Sequence, residues 1–493
     1  IIGEYDDPSN QNQGILKVNL NTDGNTLIFS SDGSDKELLL ESIIYSTTTR
    51  HKSEEINYYI IDYGSEALRI FNDFPHVGDM VFFGEDEKLN NLIKMIKDII
   101  SDRKKKFSSY GGEYNNYIKN SGETMPLIGI IINNYDAFTE NNANLEEELI
   151  SLCRDGQRYG VFFVITANSD GSVRRKIKQN FNTIFALKLN DISDYNAIFN
   201  KIPSVPKDNL GRGIFKTDAV YEFQTASITD KDENNYVKNV GNKLKEINSY
   251  IARRIPTLPD MVGLNYVSKY IKNITNIPIG VEKQSLEIAT YDFTSYLTTF
   301  ILSTTSNNLI NFSKALLTEL TMLNNLQLIV VDLNKEIPEI KTRIKYYYDD
   351  NSTNIANLLI DYIKRLKENT INVRTVIYFQ NFNKFKMKLD NSLLEEFTKE
   401  IKNTDNVSLL IADDYKKLKK SEFDTWYRNI QNDTDGIWIG TGLSDQNLFK
   451  LSRITKEMGY NYKNNFGFTI KDGRAELIKT IELSNSETGD KNE

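Results

Sequence analysis

The sequence predicts an α/β fold in which a mostly parallel central sheet lies between two layers of helices, and it predicts this fold twice. Continuous apolar runs rich in β-branched residues alternate with amphipathic helical patterns, which is typical of parallel strands buried on both faces. The chain also repeats itself, because the same succession of strand, polar loop, helix and strand ending in Asp begins at Thr26 and again at Leu297. We therefore expect two tandem modules of three layers each.

The elements of the two copies correspond in order. Each copy has an opening strand, a strand that ends in Asp, two further apolar strands and a closing glycine-containing strand. In the first copy these runs are 26–29, 58–62, 127–132, 161–166 and 213–218. In the second copy they are 297–301, 328–332, 373–379, 407–412 and 467–472.

The length and the repeat together predict the domain boundaries. A chain of 493 residues is too long for one core. We place the first module at 1–230, an amphipathic helix with a proline-containing linker at 231–275, and the second module at 276–493. Apolar spacing predicts that the helix runs from Tyr236 to Ile251, and two prolines then keep the chain extended. We expect Ile255 and Leu258 of this linker to dock against the first module, with an ordinary linker as the alternative.

Composition excludes several classes of function. The formal net charge of −8 and the pI of about 5.3 argue against a nucleic-acid surface. The single cysteine, Cys153, excludes an internal disulfide and lies in a helical pattern that predicts burial. Two histidines leave little from which to build a zinc site or a His-based triad, so we predict no metal site. No apolar run is long enough to span a membrane, and the missing initiator Met suggests a piece of a longer chain.

A loop of the phosphate-binding type follows the first strand of the first copy. The pattern G-x-x-x-x-G-K-[ST] binds phosphate because backbone N–H groups face the anion at a helix N-terminus, while Lys reaches the phosphates and Ser or Thr holds magnesium. Here Gly33 and Lys36 match, but Asp35 replaces the second glycine and Glu37 replaces the magnesium ligand. These carboxylates would repel a polyphosphate, and we expect the helix N-terminus and Lys36 to stabilise them in its place.

In the second copy the same loop has no lysine. When this loop is aligned with the same pattern, Leu309 stands at the lysine position and Ile310 at the position of the magnesium ligand. Ser or Asn stands at every glycine position. No cation remains to neutralise a phosphate, so we predict that this module binds no nucleotide.

Amides stand at the strand ends where a hydrolase of this class needs carboxylates. Such enzymes place Asp-Glu after an apolar strand to hold magnesium and to polarise water, and an amide cannot act as a carboxylate base. We predict two relic nucleotide sites without catalytic residues, in which at most weak binding of ATP and magnesium survives in the first module. The first consists of Gly33, Ser34, Asp35, Lys36, Glu37, Asn133 and Asn134, and the second of Ser306, Asn308, Leu309, Gln380 and Asn381.

Several further segments of the first module carry a family resemblance. They include Phe74-Pro75-His76-Val77-Gly78, the run 154–160 and Gly211-Arg212-Gly213. With these segments the first module resembles the FtsK/SpoIIIE-type ATPase modules of type VII secretion over nearly its whole length. The second module is similar to a more diverged copy, most clearly at 436–440 and at Asp472-Gly473.

This resemblance implies P-loop modules of RecA/FtsK-like fold, equivalent to the second and third ATPase modules of a membrane-bound secretion motor. It implies a position at the cytoplasmic face of the membrane, with membrane contact only through an N-terminal part outside this sequence. The implied partners are secreted WXG-type proteins or their dimers and the other modules of the motor, with no nucleic acid. The family's catalytic residues cannot be assigned here, because the matching positions differ.

We expect a substrate-docking and assembly role rather than ATP hydrolysis. The first alternative is a weakly active ATPase in which Lys36 suffices for nucleotide binding, and the second is a DNA translocase, which the net charge opposes. If the linker fills a groove on the first module, the second module should carry an equivalent groove. Only a short polar tail follows Leu483, so we expect that groove to accept a peptide of another protein, unless Trp426 or Trp438 fills it.

Overall fold

The structure, a computed structural model, describes residues 1–202, 204–230, 232–368, 373–462 and 465–483. It divides into two compact units, Ile1–Thr257 and Leu258–Glu493. The predicted linker, 231–275, is therefore shared between the units and forms no separate part. The tail after Leu483 lies outside the described residues.

The first unit is built on a ten-stranded sheet. Its strands are β1 (Gly3–Asp7), β2 (Asn12–Leu16), β3 (Asn25–Phe29), β4 (Ile56–Asp62), β5 (Val77–Phe82), β6 (Leu127–Asn133), β7 (Val161–Ala167), β8 (Phe181–Ala186), β9 (Arg212–Lys216) and β10 (Val220–Thr225). They lie in the order β2-β1-β10-β9-β8-β3-β7-β6-β4-β5. The strands from β8 to β5 are parallel, and the remaining four form an antiparallel extension.

Helices cover both faces of this sheet. They are α1 (Gly33–Thr48), α2 (Asp86–Phe107), α3 (Tyr114–Ser121), α4 (Tyr135–Asn141), α5 (Glu146–Gly156), α6 (Arg175–Lys178), α7 (Ile192–Phe199) and α8 (Glu233–Ile247). Alternate residues of β4 belong to different apolar clusters: Tyr58 packs in the cluster that contains Leu39 of α1, and Tyr59 in the cluster that contains Leu92 of α2. Because successive side chains of a strand point to opposite faces, the sheet is the middle of three layers.

The second unit has a sheet of the same design. Its strands are β11 (Ile277–Glu282), β12 (Ile288–Tyr291), β13 (Thr298–Ser303), β14 (Leu326–Asp332), β15 (Tyr346–Tyr348), β16 (Arg374–Gln380), β17 (Val407–Asp414), β18 (Gly436–Ile439), β19 (Phe466–Lys471) and β20 (Arg474–Thr480). The order β12-β11-β20-β19-β18-β13-β17-β16-β14-β15 repeats that of the first sheet, strand for strand. The predicted fold of two tandem α/β modules with mostly parallel sheets is confirmed.

The helices of the second unit also pack on both faces of their sheet. They are α9 (Leu264–Val267), α10 (Ser306–Thr321), α11 (Ile355–Lys367), α12 (Phe382–Met387), α13 (Asn391–Lys402), α14 (Tyr415–Lys419) and α15 (Thr425–Ile430). Leu316 of α10 and Val330 of β14 lie in one apolar cluster, whereas Leu359 of α11 and Ile329 of β14 lie in the other.

The segment after α8 differs from its prediction in two respects. The helix ends at Ile247, four residues before the predicted end, and Ile247 and Ile251 are both exposed. Ile255 is 3% exposed and belongs to the apolar cluster beside α2 of the first unit. The prediction for Leu258 is wrong, because this side chain is half-buried against the apolar cluster of the second unit. The chain passes from one unit to the other after Thr257, and two residues so close in sequence therefore pack in different cores.

Some features are missing from the described part of the chain. It contains no helix long and apolar enough to cross a membrane. It also contains no group of three or more His, Cys, Asp or Glu side chains placed to hold a metal ion. Cys153 lies on α5 and is buried, and this burial raises the pKa of its thiol.

Candidate functional site: two altered phosphate-binding loops and an edge groove

The loop before α1 directs its backbone N–H groups to protein acceptors. The N–H of Ser31 donates to the carbonyl of Lys188 at 2.8 Å. The N–H of Asp32 donates to Oγ of Ser30 at 3.1 Å, and the N–H of Ser34 donates to Oδ1 of Asp32 at 2.9 Å. Asp32 thereby caps α1. Three N–H groups in the region that would surround a phosphate thus already have acceptors.

Lys36 and Asp35 are both buried, and they have separate partners. Lys36 donates from Nζ to Oδ1 of Asn168 at 2.6 Å, and burial lowers the pKa of its ammonium group. Asp35 accepts from the N–H of Gly211 at 2.6 Å, and burial raises the pKa of its carboxyl group. The expectation that Lys36 stabilises Asp35 is therefore wrong, because the hydrogen bond to the carboxylate comes from a backbone N–H 176 residues away.

The remaining predicted residues of this loop lie nearer the surface. Glu37 is half-buried and accepts from Oγ of Ser65 at 2.5 Å. Gly33 and Ser34 are exposed in the first turn of α1. A Cβ atom added to Gly33 would meet nothing within 4 Å, so the packing here does not require glycine.

At the ends of β4, β6 and β7 the first unit contains a chain of buried side-chain hydrogen bonds. Asn133 donates from Nδ2 to Oδ1 of Asp62 at 2.9 Å and accepts at Oδ1 from Oγ1 of Thr166 at 2.9 Å. Asn134 accepts at Oδ1 from the N–H of Ala137 and so caps α4. The amide of Asn133 supplies a donor to a carboxylate, which a second carboxylate could not do when ionised.

The second loop is closed by its own hydroxyl groups. Ser303 donates from Oγ to the carbonyl of Ile439 at 2.7 Å, and Thr304 donates from Oγ1 to the carbonyl of Thr441 at 3.2 Å. Leu309 is 5% exposed and belongs to the apolar cluster beneath α10. Ser306 begins α10 in an exposed position, and Asn308 is half-buried.

The cavity beside the second loop is small and acidic. Its volume is about 20 Å³, which is about the space of one water molecule. Three carboxylate residues and one lysine line it: Glu336, Asp413, Asp414 and Lys417. Burial raises the pKa of Asp413 to about 6.

The strand-end amides of the second unit also serve a carboxylate. Gln380 donates from Nε2 to Oε2 of Glu336 at 2.8 Å, and its Oε1 accepts from the hydroxyl of Tyr378 at 3.2 Å. Asn381 donates from Nδ2 to Oε1 of Glu336 at 3.4 Å. In both units, therefore, an amide side chain at the same strand end donates a hydrogen bond to a carboxylate. The carboxylates come from different parts of the two folds.

The partners of these relic residues were not predicted. These partners lie outside the loop pattern. They are Asn168, Lys188 and Gly211 in the first unit, and Glu336 and Asp413 in the second. Asn168 follows β7, and Asp413 lies near the end of β17, which is the equivalent strand. The sequence could have indicated Asn168 and Asp413, because each is a polar residue at the carboxyl end of a strand next to the loop-bearing strand. The carboxyl ends of neighbouring parallel strands meet at one edge of the sheet.

The segment after α8 lies along β5, the edge strand of the first sheet. The N–H of Ala252 donates to the carbonyl of Pro75 at 2.8 Å, and the hydroxyl of Tyr59 donates to the carbonyl of Arg253 at 2.7 Å. The carbonyl of Arg253 also approaches Gly78, where an added Cβ atom would lie 2.6 Å from it. Only glycine leaves room for the backbone at this point.

The equivalent edge of the second sheet, β15, is less covered. All three of its residues are half-buried, whereas five of the six residues of β5 are buried. Tyr346 of β15 lies beside Tyr362 of α11, with ring centroids 6.2 Å apart. Leu358, one turn before Tyr362 on α11, is 47% exposed. We call the surface formed by Tyr346, Tyr348, Leu358 and Tyr362 the edge groove.

The two tryptophans lie elsewhere in the second unit. Trp426 on α15 and Trp438 on β18 are buried in the apolar cluster between α13 and the sheet. The indole N–H of Trp438 donates to the carbonyl of Thr441 at 3.0 Å, and the ring of Trp426 packs beside Phe382. Neither ring belongs to the residues that define the edge groove.

Comparison with known proteins connects these features to one family. Residues 8–221 match the model of the FtsK/SpoIIIE family. The match covers most of the first unit, Ile1–Thr257. The chain is similar to the type VII secretion system protein EssC of Staphylococcus aureus (strain MRSA252), with 24% identity over 406 residues, 78% of this chain and 27% of that protein. It is also similar to the ESX secretion system protein YukB of Bacillus subtilis (strain 168), with 28% identity over 329 residues, 64% of this chain and 22% of that protein. The chain thus spans about a quarter of the length of these relatives.

Solved structures show the same fold. EssC (ATPases 2 and 3) from Geobacillus thermodenitrificans matches with a TM-score of 0.88 and 21% identity over 98% of this chain and 96% of that one. Thermomonospora curvata EccC (ATPases 2 and 3), solved in complex with a signal sequence peptide, matches with a TM-score of 0.61 and 17% identity over 98% and 93%. Both structures are described as containing ATPases 2 and 3, and this chain likewise has two sheets of one strand order.

Proposed function

We propose that this chain is part of a type VII secretion motor at the cytoplasmic face of the membrane, and that its two units dock secreted substrates and assemble the motor rather than hydrolyse ATP. One observation carries this proposal. In both units the polar groups of the loop and the amides at the strand ends form hydrogen bonds with other groups of the protein. The relatives described as type VII secretion proteins support the wider setting.

In this proposal neither loop binds ATP tightly. In the first unit a triphosphate would have to displace the hydrogen bonds of the loop and approach Asp32 and Asp35. In the second unit the cavity of about 20 Å³ is far below the several hundred Å³ of an ordinary ligand site, and its carboxylates would repel phosphate.

Titration calorimetry with Mg-ATP tests this part of the proposal. We expect no binding in the micromolar range by the full chain, and no change on Lys36→Ala or on the control Lys104→Ala, an exposed lysine of α2. Micromolar binding that Lys36→Ala abolishes and Lys104→Ala preserves would contradict it and support the weakly active ATPase.

The partner is proposed to be the C-terminal signal peptide of a secreted WXG-type protein, bound at the edge groove. On the first unit the equivalent edge is covered by residues 248–257 of the chain itself, with Ile255 as a buried apolar anchor. The edge groove offers half-buried aromatic rings and the exposed Leu358 to a similar segment. Lys345 lies over the ring of Tyr346, and its ammonium group would favour an acidic peptide. The relative solved with a signal sequence peptide supports this class of partner.

The binding experiment compares two apolar positions of equal exposure. Leu358 and Met322 are each 47% exposed, but Met322 follows α10 on the other face of the sheet. With a fluorescently labelled signal peptide, we expect Leu358→Ser to weaken binding about three- to tenfold through lost apolar contact. Met322→Ser should leave the anisotropy titration unchanged. Equal affinities of both variants and the unaltered protein would exclude the edge groove as the docking site.

A further inference from the structure

The first unit has a cleft at the end of the sheet opposite the altered loop. Its volume is about 630 Å³, which is within the range of sites for small organic ligands. It lies where β4 and β6 begin and where α2 ends, since Asn57, Ile128 and Lys106 all line it. The segment after α8 forms a further wall with Tyr250 and Arg253.

The walls of the cleft combine apolar surface with positive charge. The apolar part is formed by Tyr59, Ile99, Met125, Pro126, Ile128 and Tyr250. Four cationic side chains line the cleft, whereas only one of the described lining residues is a carboxylate, Asp102. The cations are Arg103, Lys105, Lys106 and Arg253. Lys106 pairs with Glu123 at 2.9 Å, and Lys105 lies 3.9 Å from Asp102. The two arginines therefore leave an excess of positive charge at the cleft.

Arg103 is a buried cation whose hydrogen bonds go to neutral groups. It is 6% exposed, and its guanidinium donates to the carbonyls of Tyr159 at 2.7 Å, Gly160 at 3.2 Å and Pro126 at 2.6 Å. Burial lowers the pKa of this guanidinium to about 10, and the side chains that oppose the shift are tyrosines. Among the described residues no carboxylate oxygen lies within 4.0 Å of it. Since buried charges are ordinarily compensated by an opposite charge, an anion in the cleft would complete this environment.

We propose that this cleft binds a small amphipathic anion, in which a carboxylate, sulfonate or phosphate group is attached to an apolar or aromatic body. The acidic group would lie toward the cations of α2 and Arg253, and the body would pack between Tyr59, Ile99 and Tyr250. The altered phosphate-binding loop takes no part, because it lies at the opposite end of the strands.

The ligand would also stabilise the segment after α8. Tyr250 and Arg253 belong to this segment, and its contacts with the body of the unit include the hydrogen bond from Ala252 N–H to Pro75 and that from Tyr59 to Arg253. A molecule that touches both the segment and α2 binds the docked arrangement more tightly than a detached one, and so favours it. The proposed ligand is therefore a regulator of how firmly residues 248–257 cover the edge of the first sheet.

Two fluorescent probes that differ only in charge test the proposal on the full chain. 1-Anilinonaphthalene-8-sulfonate carries the acidic group, and N-phenyl-1-naphthylamine is the same body without it. We expect saturable binding of the sulfonate at one site and at least about tenfold weaker binding of the neutral probe. Affinity for the sulfonate should also fall as salt is raised.

Matched double variants separate the cleft from the general surface charge. Lys105→Gln with Arg253→Gln removes two exposed cations of the cleft, and Lys104→Gln with Arg254→Gln removes their sequence neighbours, which do not line it. The first pair should weaken binding of the sulfonate at least about fivefold and leave the neutral probe unaffected. The second pair should change neither. Equal affinity of the two double variants would overturn the proposal.

Further readouts identify the ligand and its effect. Ile99→Trp should fill the cleft and abolish binding of both probes. Displacement of the sulfonate by laurate would indicate an acyl carboxylate, displacement by AMP would indicate a nucleotide, and failure of both would overturn the proposal. Hydrogen exchange at the Ala252 amide should slow at least about threefold with the sulfonate bound. An unchanged exchange rate would refute the effect on the segment after α8.

Discussion

Replacement of Asn133 by Asp restores the carboxylate that a hydrolase would carry at this strand end, and we expect it to destabilise the first unit. The substitution is nearly isosteric, so the size of the side chain is not the cause. In the structure Nδ2 of Asn133 donates to Oδ1 of Asp62 at 2.9 Å, and both residues are at most 2% exposed. The variant would place two carboxyl groups at this distance, and burial already raises the pKa of Asp62.

The magnitude follows from comparing two ways in which the pair can respond. If both groups ionise 2.9 Å apart, their repulsion is about 6 kcal/mol at an effective dielectric constant of about 20. If one group keeps a proton at pH 7, the cost against an unfolded pKa of about 3.9 is about 4 kcal/mol. The second response is cheaper, and the O–H···O⁻ hydrogen bond returns about 1 kcal/mol. We therefore expect Asn133→Asp to lose about 3 kcal/mol at pH 7.

The loss of stability in Asn133→Asp should also depend on pH. The folded pKa of the pair is raised above the unfolded value, so the penalty vanishes where the unfolded carboxyl group is also protonated, below about pH 4. Above that pH it grows by about 1.4 kcal/mol per unit until the folded pKa is reached.

Urea unfolding of the full chain measures this difference at pH 4 and at pH 7. Far-UV circular dichroism follows both units, while tryptophan fluorescence follows the second unit, which contains both tryptophans. Asn134→Asp is the matched control, because Asn134 is half-buried and caps a helix, a role that Asp also fills. This control loses the donor to the carbonyl of Tyr63 at 3.2 Å but does not place a second carboxyl group beside Asp62. A first-unit stability equal to that of the unaltered protein at pH 7, or a loss of the same size at both pH values, would refute the reasoning.

Three further variants are expected to act on separate parts of the chain, and the same unfolding experiment measures each. Gln380→Glu should destabilise the second unit by about 2–3 kcal/mol at pH 7, because the new carboxylate replaces the amide that donates to Glu336 at 2.8 Å; an unchanged fluorescence transition would contradict this. Ile255→Ser should cost the first unit about 2–4 kcal/mol through lost apolar burial, whereas Ile251→Ser, at a position 64% exposed, should cost under about 0.5 kcal/mol. Glu319→Gln should stabilise the second unit by about 2–3 kcal/mol at pH 7 and leave it unchanged at pH 4, because burial raises the pKa of Glu319 to about 9 and the stability of the unaltered protein falls as pH rises from 4.5 toward that value. Equal effects at the two pH values would show that this carboxyl group is not the cause.

The periodic features of the fold could be predicted because each is local. The runs that became β6 and β16 are apolar over consecutive residues, and burial on both faces of a parallel sheet produces that pattern directly. Their repetition in the same order later in the chain then predicted a second module of the same kind. The helix before the linker was less predictable at its end, since Ile251 continues the apolar spacing but lies in the solvent after α8 has ended.

For the candidate sites too, the sequence determined the residue types, and the tertiary structure determined their partners. The sequence by itself determined that the second loop has no lysine and that Asn133 and Gln380 stand where carboxylates belong, because residue identity needs no contact to be known. Only the tertiary structure decided that Asn133 bonds to Asp62, 71 residues away, and that Lys36 bonds to Asn168, 132 residues away. It also decided which unit receives Leu258 and where the cleft beside Arg103 opens. Such pairs meet because parallel strands distant in the chain end at the same edge of a sheet, and the order of those strands is set by the packing of the whole unit rather than by any local pattern.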